Sequence, residues 1–267
     1  RYFPARKAWR LLGVPVKSTN APTIHQAWQQ NAVYPSSLVG NSLASAINPN
    51  PGYGIHIFGA GGINNGFDPA YTTNSSMKFY DNATNTFVGL PATPGTNATI
   101  TNYPGYMVYI RGDRSIDITS STSYLDAPII PTTLRLKGEP ITGNKSVSVN
   151  ASNYTLLSNP YASAIDFGTL DKSNVSDMFF VWDPKAGGYY GLGAYVTVMY
   201  NSLTNTYDVS SPSAGIGRYI PSGEAVFVKS LNGTSTGTLT IKESDKSTGM
   251  IDSSAFGRLT NRFQSLR

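Results

Sequence analysis

Met178–Trp182 (MFFVW) and Ala194–Tyr200 (AYVTVMY) decide the class of fold. Both runs are short, β-branched and aromatic, and Gly193 stands just before the second. Branched and aromatic side chains suit a pleated, half-buried surface better than a helix, where the preceding turn restricts them. The same texture recurs outward in Tyr106–Arg111 (YMVYIR), Thr133–Lys137 (TLRLK), Ala225–Lys229 (AVFVK) and Thr238–Lys242 (TLTIK). TLRLK and TLTIK alternate strictly, as half-buried strands do. FFVW is continuous, as a strand covered on both faces would be. Gly, Pro, Asn and Ser bound the runs as turn formers. Helix is expected only at Thr23–Asn31, where Thr23 can cap with Gln26 three residues on, and as a turn near Ala164–Leu170. The predicted class is therefore all-β and antiparallel.

The strand blocks recur. WRLLGVPV (Trp9–Val16) answers YTLLSNPY (Tyr154–Tyr161), and MKFYDNATNTFVGL (Met77–Leu90) answers FFVWDPKAGGYYGL (Phe179–Leu192). PGYMVYIRG (Pro104–Gly112) answers PSGEAVFVKS (Pro221–Ser230), and TTLRLKGEP (Thr132–Pro140) answers GTLTIKES (Gly237–Ser244). The order is the same in both halves, while the spacing differs as loop insertions allow. This predicts two related β-sandwich-like halves from an internal duplication, residues 1–145 and 146–267. They would be parted in the polar stretch Gly143–Asn153. Leu11, Leu12, Leu156 and Leu157 should feed the cores, and Pro15 and Pro160 should end their strands.

Composition narrows the setting. Of 267 residues only 13% are charged, and there is no cysteine, which excludes disulfides and thiolate metal sites. No apolar run approaches a membrane span. The chain opens on Arg1 without an initiator Met or signal peptide, which reads as a fragment of a longer precursor. The net charge of +5 sits largely at the ends, at Arg1, Arg6, Lys7 and Arg10, then Arg258, Arg262 and Arg267. The RYFPARKAWR cluster reads as solvated flanks of edge strands rather than a nucleic-acid surface.

No motif carries chemistry with the right context. Arg111-Gly112-Asp113 follows a strand directly and reads as a turn with a local Arg–Asp pair. Gly59-Ala60-Gly61-Gly62 lacks the following helix that a phosphate loop needs, and Asn64 stands at the third glycine position. His25 and His56 are too few for a metal site, and no G-x-S-x-G elbow supports a Ser-His-Asp triad. Asp166, Asp183 and Glu224 are the candidates from which a glycosidase's carboxylate pair would be drawn. Yet Asp183 lies in a WDP turn and Asp166 at an N-cap position. Aromatics are the most suggestive feature. Trp28, Trp182, Tyr189, Tyr190, Tyr195, Tyr200, Tyr207 and Tyr219 could stack on sugars, though tyrosine is also simply a good strand residue. The sequons at Asn74, Asn82, Asn97, Asn150 and Asn174 follow from an Asn/Thr/Ser-rich composition.

TIHQAWQQ, GIHIFGAGGINNGFD, YMVYIRGDRS and TTLRLKGEP, in that order, resemble the N-terminal part of a recurring region in long surface proteins of the Bacteroidota. LLSNPYASAIDF, FFVWDP, SGEAVFVKS and LTIKESDKS resemble its C-terminal part. The resemblance implies repeated β domains, a type IX secretion sorting signal beyond Phe263–Arg267, and roles in adhesion, surface-layer or filament formation, and polymer contact. It supplies no catalytic residue. The expectation is a non-enzymatic structural or adhesive module, extracellular and cell-surface, extending to an extracellular fibre subunit. The alternatives are a carbohydrate-binding module or a glycoside hydrolase. No catalytic, cofactor or metal residue is assigned. The expected partners are further copies, sister domains or polysaccharide, with no nucleic acid and no membrane span. Arg1–Trp9 and Phe256–Arg267 are the expected fibre contacts, as donated or edge strands.

Overall fold

The computed structural model describes residues 2–3, 7–17, 23–29, 54–60, 67, 74–90, 104–112, 132–136, 138–187, 193–211 and 215–247. In the first half the strands are β1 (Tyr2–Phe3), β2 (Ala8–Leu12), β3 (Val16–Lys17), β4 (Met77–Asp81), β5 (Thr86–Gly89), β6 (Tyr106–Ile110), β7 (Thr132–Thr133) and β8 (Glu139–Pro140). The second half carries β9 (Lys145–Val149), β10 (Thr155–Ser158), β11 (Ile165–Asp166), β12 (Asp171–Ser173), β13 (Met178–Asp183) and β14 (Ala194–Asn201). It continues with β15 (Thr206–Val209), β16 (Tyr219–Ile220), β17 (Ala225–Val228) and β18 (Gly237–Ile241). Every strand pairing among the described residues is antiparallel, so the all-β class holds. The expected helix is the short α1 (Ile24–Trp28), and the turn near Ala164–Leu170 is a 3-10 turn at Phe167–Thr169.

Two sheets organise the molecule. One runs β2-β6-β4-β5 and the other β10-β17-β13-β14-β15. Leu11 faces Met107 and Leu12 faces Tyr106, while Lys78 faces Met107 from the other side. In the second sheet Leu156 faces Phe227, Leu157 faces Val226, and Phe180 faces Phe227. Placing Leu11-Leu12 on Leu156-Leu157 therefore carries Met107 onto Phe227 and Lys78 onto Phe180. Chain continuity then sets Met77 on Phe179, Tyr80 on Trp182 and Asp81 on Asp183. These are the pairs that the blocks MKFYD and FFVWD make side by side.

Alternation assigns the faces. Leu12, Val108 and Met77 enter a first core, whereas Leu157, Val228 and Phe179 enter a second. Leu11, Met107, Leu156, Ala225 and Phe227 form a third layer between the sheets. FFVW is thus covered on both faces as expected, with Phe179 and Val181 in the second core and Phe180 and Trp182 against the middle layer. The middle layer is tight. A Cβ on Gly13 would lie 2.1 Å from Ser158 Oγ, and one on Gly105 would lie 2.2 Å from the Ala225 Cβ. In the register just given, Gly13 corresponds to Ser158 and Gly105 to Ala225, so each glycine meets its own counterpart. The backbone also crosses the seam: Gly13 N donates to Gly223 O at 3.0 Å, and Leu12 forms a bridge with Glu224.

The covers of the two cores differ. The second is closed by the sheet β12-β18-β9, whose Val149, Leu239 and Ile241 point inward, giving a sheet-on-sheet sandwich. The described cover of the first is α1, through Ile24, Ala27 and Trp28, with Ile55, Ile57 and Phe67. The TLRLK block is not the counterpart of TLTIK in pairing. Only Thr132–Thr133 is laddered, with β1, although Leu134 stays buried and Arg135 exposed, whereas β18 sits between β12 and β9. Lys137 lies outside the described residues. β8 ends at Pro140 beside Val16, and Ile141 already packs in the second core.

One expectation about the N-terminus is corrected. Phe3 is fully buried and β1 pairs with β7, while β2 stands at the edge of its sheet. Lys7 and Arg10 are buried rather than solvated, and the Arg10 guanidinium lies 4.7 Å from the centre of the Phe3 ring. Their long aliphatic stems and the ring face make that burial tolerable. Arg1, Arg6 and Phe256–Arg267 lie outside the described residues.

Asx side chains shape the hairpin turns. Asp81 Oδ1 accepts from Ala83 N at 2.9 Å, Asp183 Oδ1 from Lys185 N at 2.8 Å, and Asn201 Oδ1 from Leu203 N at 3.0 Å. The β14–β15 turn repeats the β4–β5 turn in detail. Asn85 and Asn205 take φ of 54° and 56°, each accepts from the hydroxyl of Tyr80 or Tyr200, and Thr84/Thr86 and Thr204/Thr206 hydroxyls pair at 2.8 Å. Asparagine tolerates this left-handed conformation better than most residues.

Candidate functional site

An open cleft of about 450 Å³ lies where the β4–β5 hairpin leans over the five-stranded sheet. Its rings come from five strands and one loop: Tyr80, Phe87, Tyr154, Phe180, Tyr195 and Phe227. Phe227 is almost buried, and four rings stand around it. Tyr80, Phe87, Tyr154 and Tyr195 lie at 74°, 71°, 76° and 70° to its plane, with centroids 4.7, 5.9, 6.1 and 5.8 Å away. Edge-to-face contacts of this kind suit the aromatic quadrupole. Tyr154 also meets Phe180 at 88°, and Tyr195 meets Trp182 at 76°. Asn153 Nδ2 donates to Asn82 O at 3.0 Å, tying the hairpin tip to the loop that bears Tyr154.

Tyr154 and Tyr195 are 43% and 46% exposed, so the cleft keeps two large ring surfaces in water. Its remaining lining is polar but uncharged, Asn85 and Thr197. Tyr80 Oη donates to Asn85 Oδ1 at 3.0 Å, leaving the amide nitrogen as a donor at the rim. Burial first, and then the neighbouring Tyr80, pushes the Tyr195 phenol up to about 12. Burial, then Tyr154, raises Tyr80 likewise. Tyr80 and Tyr195 therefore stay neutral throughout the physiological range. Neutral phenols in the fold contribute stability that is complete below the ordinary value of 10.0 and is lost as pH rises through about 12. Alkaline titration followed by phenolate absorbance should show a late-ionising class of tyrosine, and the unfolding midpoint should fall above pH 10.0. A single titration at the ordinary value, or a midpoint flat through this window, would contradict the burial.

The residues singled out by sequence scatter differently. Trp28 is fully buried in the first core against Tyr106, so it offers no stacking face. Tyr200 and Tyr207 pack against each other on the β14–β15 hairpin, and Tyr207 donates to Asp177. Tyr219 stacks under Arg218. Tyr189 and Tyr190 lie outside the described residues. Among the described residues of that set, Tyr195 alone lines the cleft. Tyr80, Phe87, Tyr154, Phe180 and Phe227 were missed as site residues. The available signal was that Tyr80 and Tyr154 belong to the repeated blocks at seam-facing positions.

The carboxylates of Asp166 and Asp183 hold structure. Asp166 caps the 3-10 turn through Gly168 N at 2.9 Å and pairs with Arg218 at 2.9 Å. Asp183 shapes its turn as described. Glu224 is buried at the seam, where its carbonyl accepts from Asn159 N at 2.9 Å. His56 is buried and stacked with Phe58, while the side chain of His25 lies outside the described residues. Among the described residues no group of three or more His, Asp or Glu side chains is placed to hold a metal ion. Arg111 lies over Tyr109 and Phe58, at 4.4 and 4.7 Å, rather than in a free recognition tip, and Asp113 lies outside the described residues. Gly59 is required by packing, because a Cβ there would overlap the Phe67 ring at 2.4 Å. Gly61 and Gly62 are outside the described residues. No described helix is long and apolar enough to cross a membrane.

Fold and site together define an all-β, antiparallel protein with an uncharged aromatic cleft between its sheets. No family model, curated protein or solved structure matches the chain.

Proposed function

We propose that this chain is a non-enzymatic adhesive and structural module of a secreted bacterial surface protein, with the cleft as its contact surface. The carrying observation is the cleft lining: rings and neutral hydroxyls for contact, without a carboxylate or imidazole to move a proton. The local duties of Asp166 and Asp183 support the same reading. A surface-protein origin of the kind the sequence resembles, in the Bacteroidota with type IX secretion, is part of the proposal. So is an internal duplication, supported by the shared strand order and register of β2-β6-β4 and β10-β17-β13 and by the meeting of Gly13 with Ser158 and Gly105 with Ala225. A duplicated pair of sheets packed face to face is a stiff scaffold, and stiffness reduces the ordering cost of contact.

The test is adhesion of microspheres coated with the whole chain to films of mucin, collagen and bacterial cell-wall polysaccharide under flow. Wild-type spheres should be retained on at least one film, and spheres bearing Tyr154→Ala together with Tyr195→Ala should wash off. Both rings are half exposed, so the double variant should keep its fold by circular dichroism. Wild-type spheres that wash off all three films, or equal retention of the variant, would defeat the proposal.

A further inference from the structure

We infer that the cleft binds a short segment of a neutral glycan. This rests on the reading of the cleft as the contact surface, and it names the ligand class. Three features select that class. First, the two most exposed rings, Tyr154 and Tyr195, flank a floor whose other rings are fixed on paired strands. They offer flat, preorganised faces to the C–H patches of a pyranose. Second, the lining bears no formal charge. A charged ligand taken out of water here would be left without a counter-charge. Third, the lining is not purely apolar. The Tyr154 and Tyr195 hydroxyls, the Asn85 amide and the Thr197 hydroxyl would be stranded by an acyl chain, at the cost of unmade hydrogen bonds. A sugar ring answers both demands, with apolar faces for the rings and equatorial hydroxyls for the rim. The volume of about 450 Å³ lies within the common range for small-ligand sites, roughly 300–1,000 Å³.

The experiment is calorimetric titration of the whole chain with four probes: cellotetraose, laminaritetraose, mannotetraose and an oligogalacturonate. Palmitate serves as an acyl control. At least one neutral tetrasaccharide should bind. Tyr195→Ala should weaken it about tenfold, the scale of one lost ring contact, while Tyr195→Phe should keep most of the affinity. Unchanged circular dichroism and unfolding midpoint would show that Tyr195→Ala leaves the fold intact. No binding by any neutral tetrasaccharide overturns the inference, as does binding of only oligogalacturonate or palmitate. Neutral-glycan binding that survives Tyr154→Ala with Tyr195→Ala overturns the location. Film adhesion that persists without soluble tetrasaccharide binding rejects the glycan and spares the contact surface. Loss of both in the wild type rejects both.

Discussion

Phe179→Ala should destabilise the protein by about 3–5 kcal/mol, and Met77→Ala, its register counterpart, by about 2–5 kcal/mol. Both side chains are fully buried, Phe179 in the second core and Met77 in the first. Phe179 also packs on Phe167 with centroids 4.6 Å apart, so its removal takes away a ring contact and leaves a cavity that a laddered strand cannot close. The two substitutions should lower a single transition. Leu11, Met107, Leu156 and Phe227 share one layer, and Gly13 and Leu12 bond across the seam to Gly223 and Glu224. Neither half can expose its seam face without stripping the other. Urea unfolding followed by circular dichroism and by tryptophan fluorescence checks this, since Trp28 reports the first core and Trp9 and Trp182 the seam. Separate transitions for the two probes would mean that the halves unfold alone.

Gly105→Ala should cost about 1–3 kcal/mol by overpacking, although it adds only a methyl group. The new carbon would stand 2.2 Å from the Ala225 Cβ, which is fixed to β17 and cannot swing aside. Gly105 does not need a left-handed backbone, so the expected loss is one of space. Ala225→Gly in the same chain should therefore restore much of the lost stability, as expected for residues in direct contact. Comparing thermal unfolding of the two single variants and the double variant measures the coupling. If the second substitution rescues nothing, the seam is not closed at this pair, and the correspondence of Gly105 with Ala225 loses its structural basis.

Much of the scaffold was legible because its causes are local. The WDP turn at Asp183 and the cap at Asp166 could be read from residue type and spacing, because an Asx side chain bonds a backbone amide two residues on wherever it sits. Leu11-Leu12 and Leu156-Leu157 were legible as core residues because apolar pairs in a strand face both sides of a sheet. The likeness of NATNTF (Asn82–Phe87) to SLTNTY (Ser202–Tyr207) falls outside the order of the other blocks.

What failed to show in the sequence depends on the neighbour brought across the fold. Trp28 and Tyr195 are equally candidate stacking rings by residue type, yet one is core and the other a cleft wall. Lys7 and Arg10 read as solvated charges until Phe3 and the sheets cover them. The amino-acid order by itself determined the longer strands and the Asx turns, because period-two alternation and turn chemistry act within a few residues, whereas TLRLK alternates as a strand does and is laddered only at its start. Only the tertiary structure decided which rings gather around Phe227 and stay open to solvent. That outcome depends on how two sheets from distant parts of the chain cross, and no local pattern encodes a crossing.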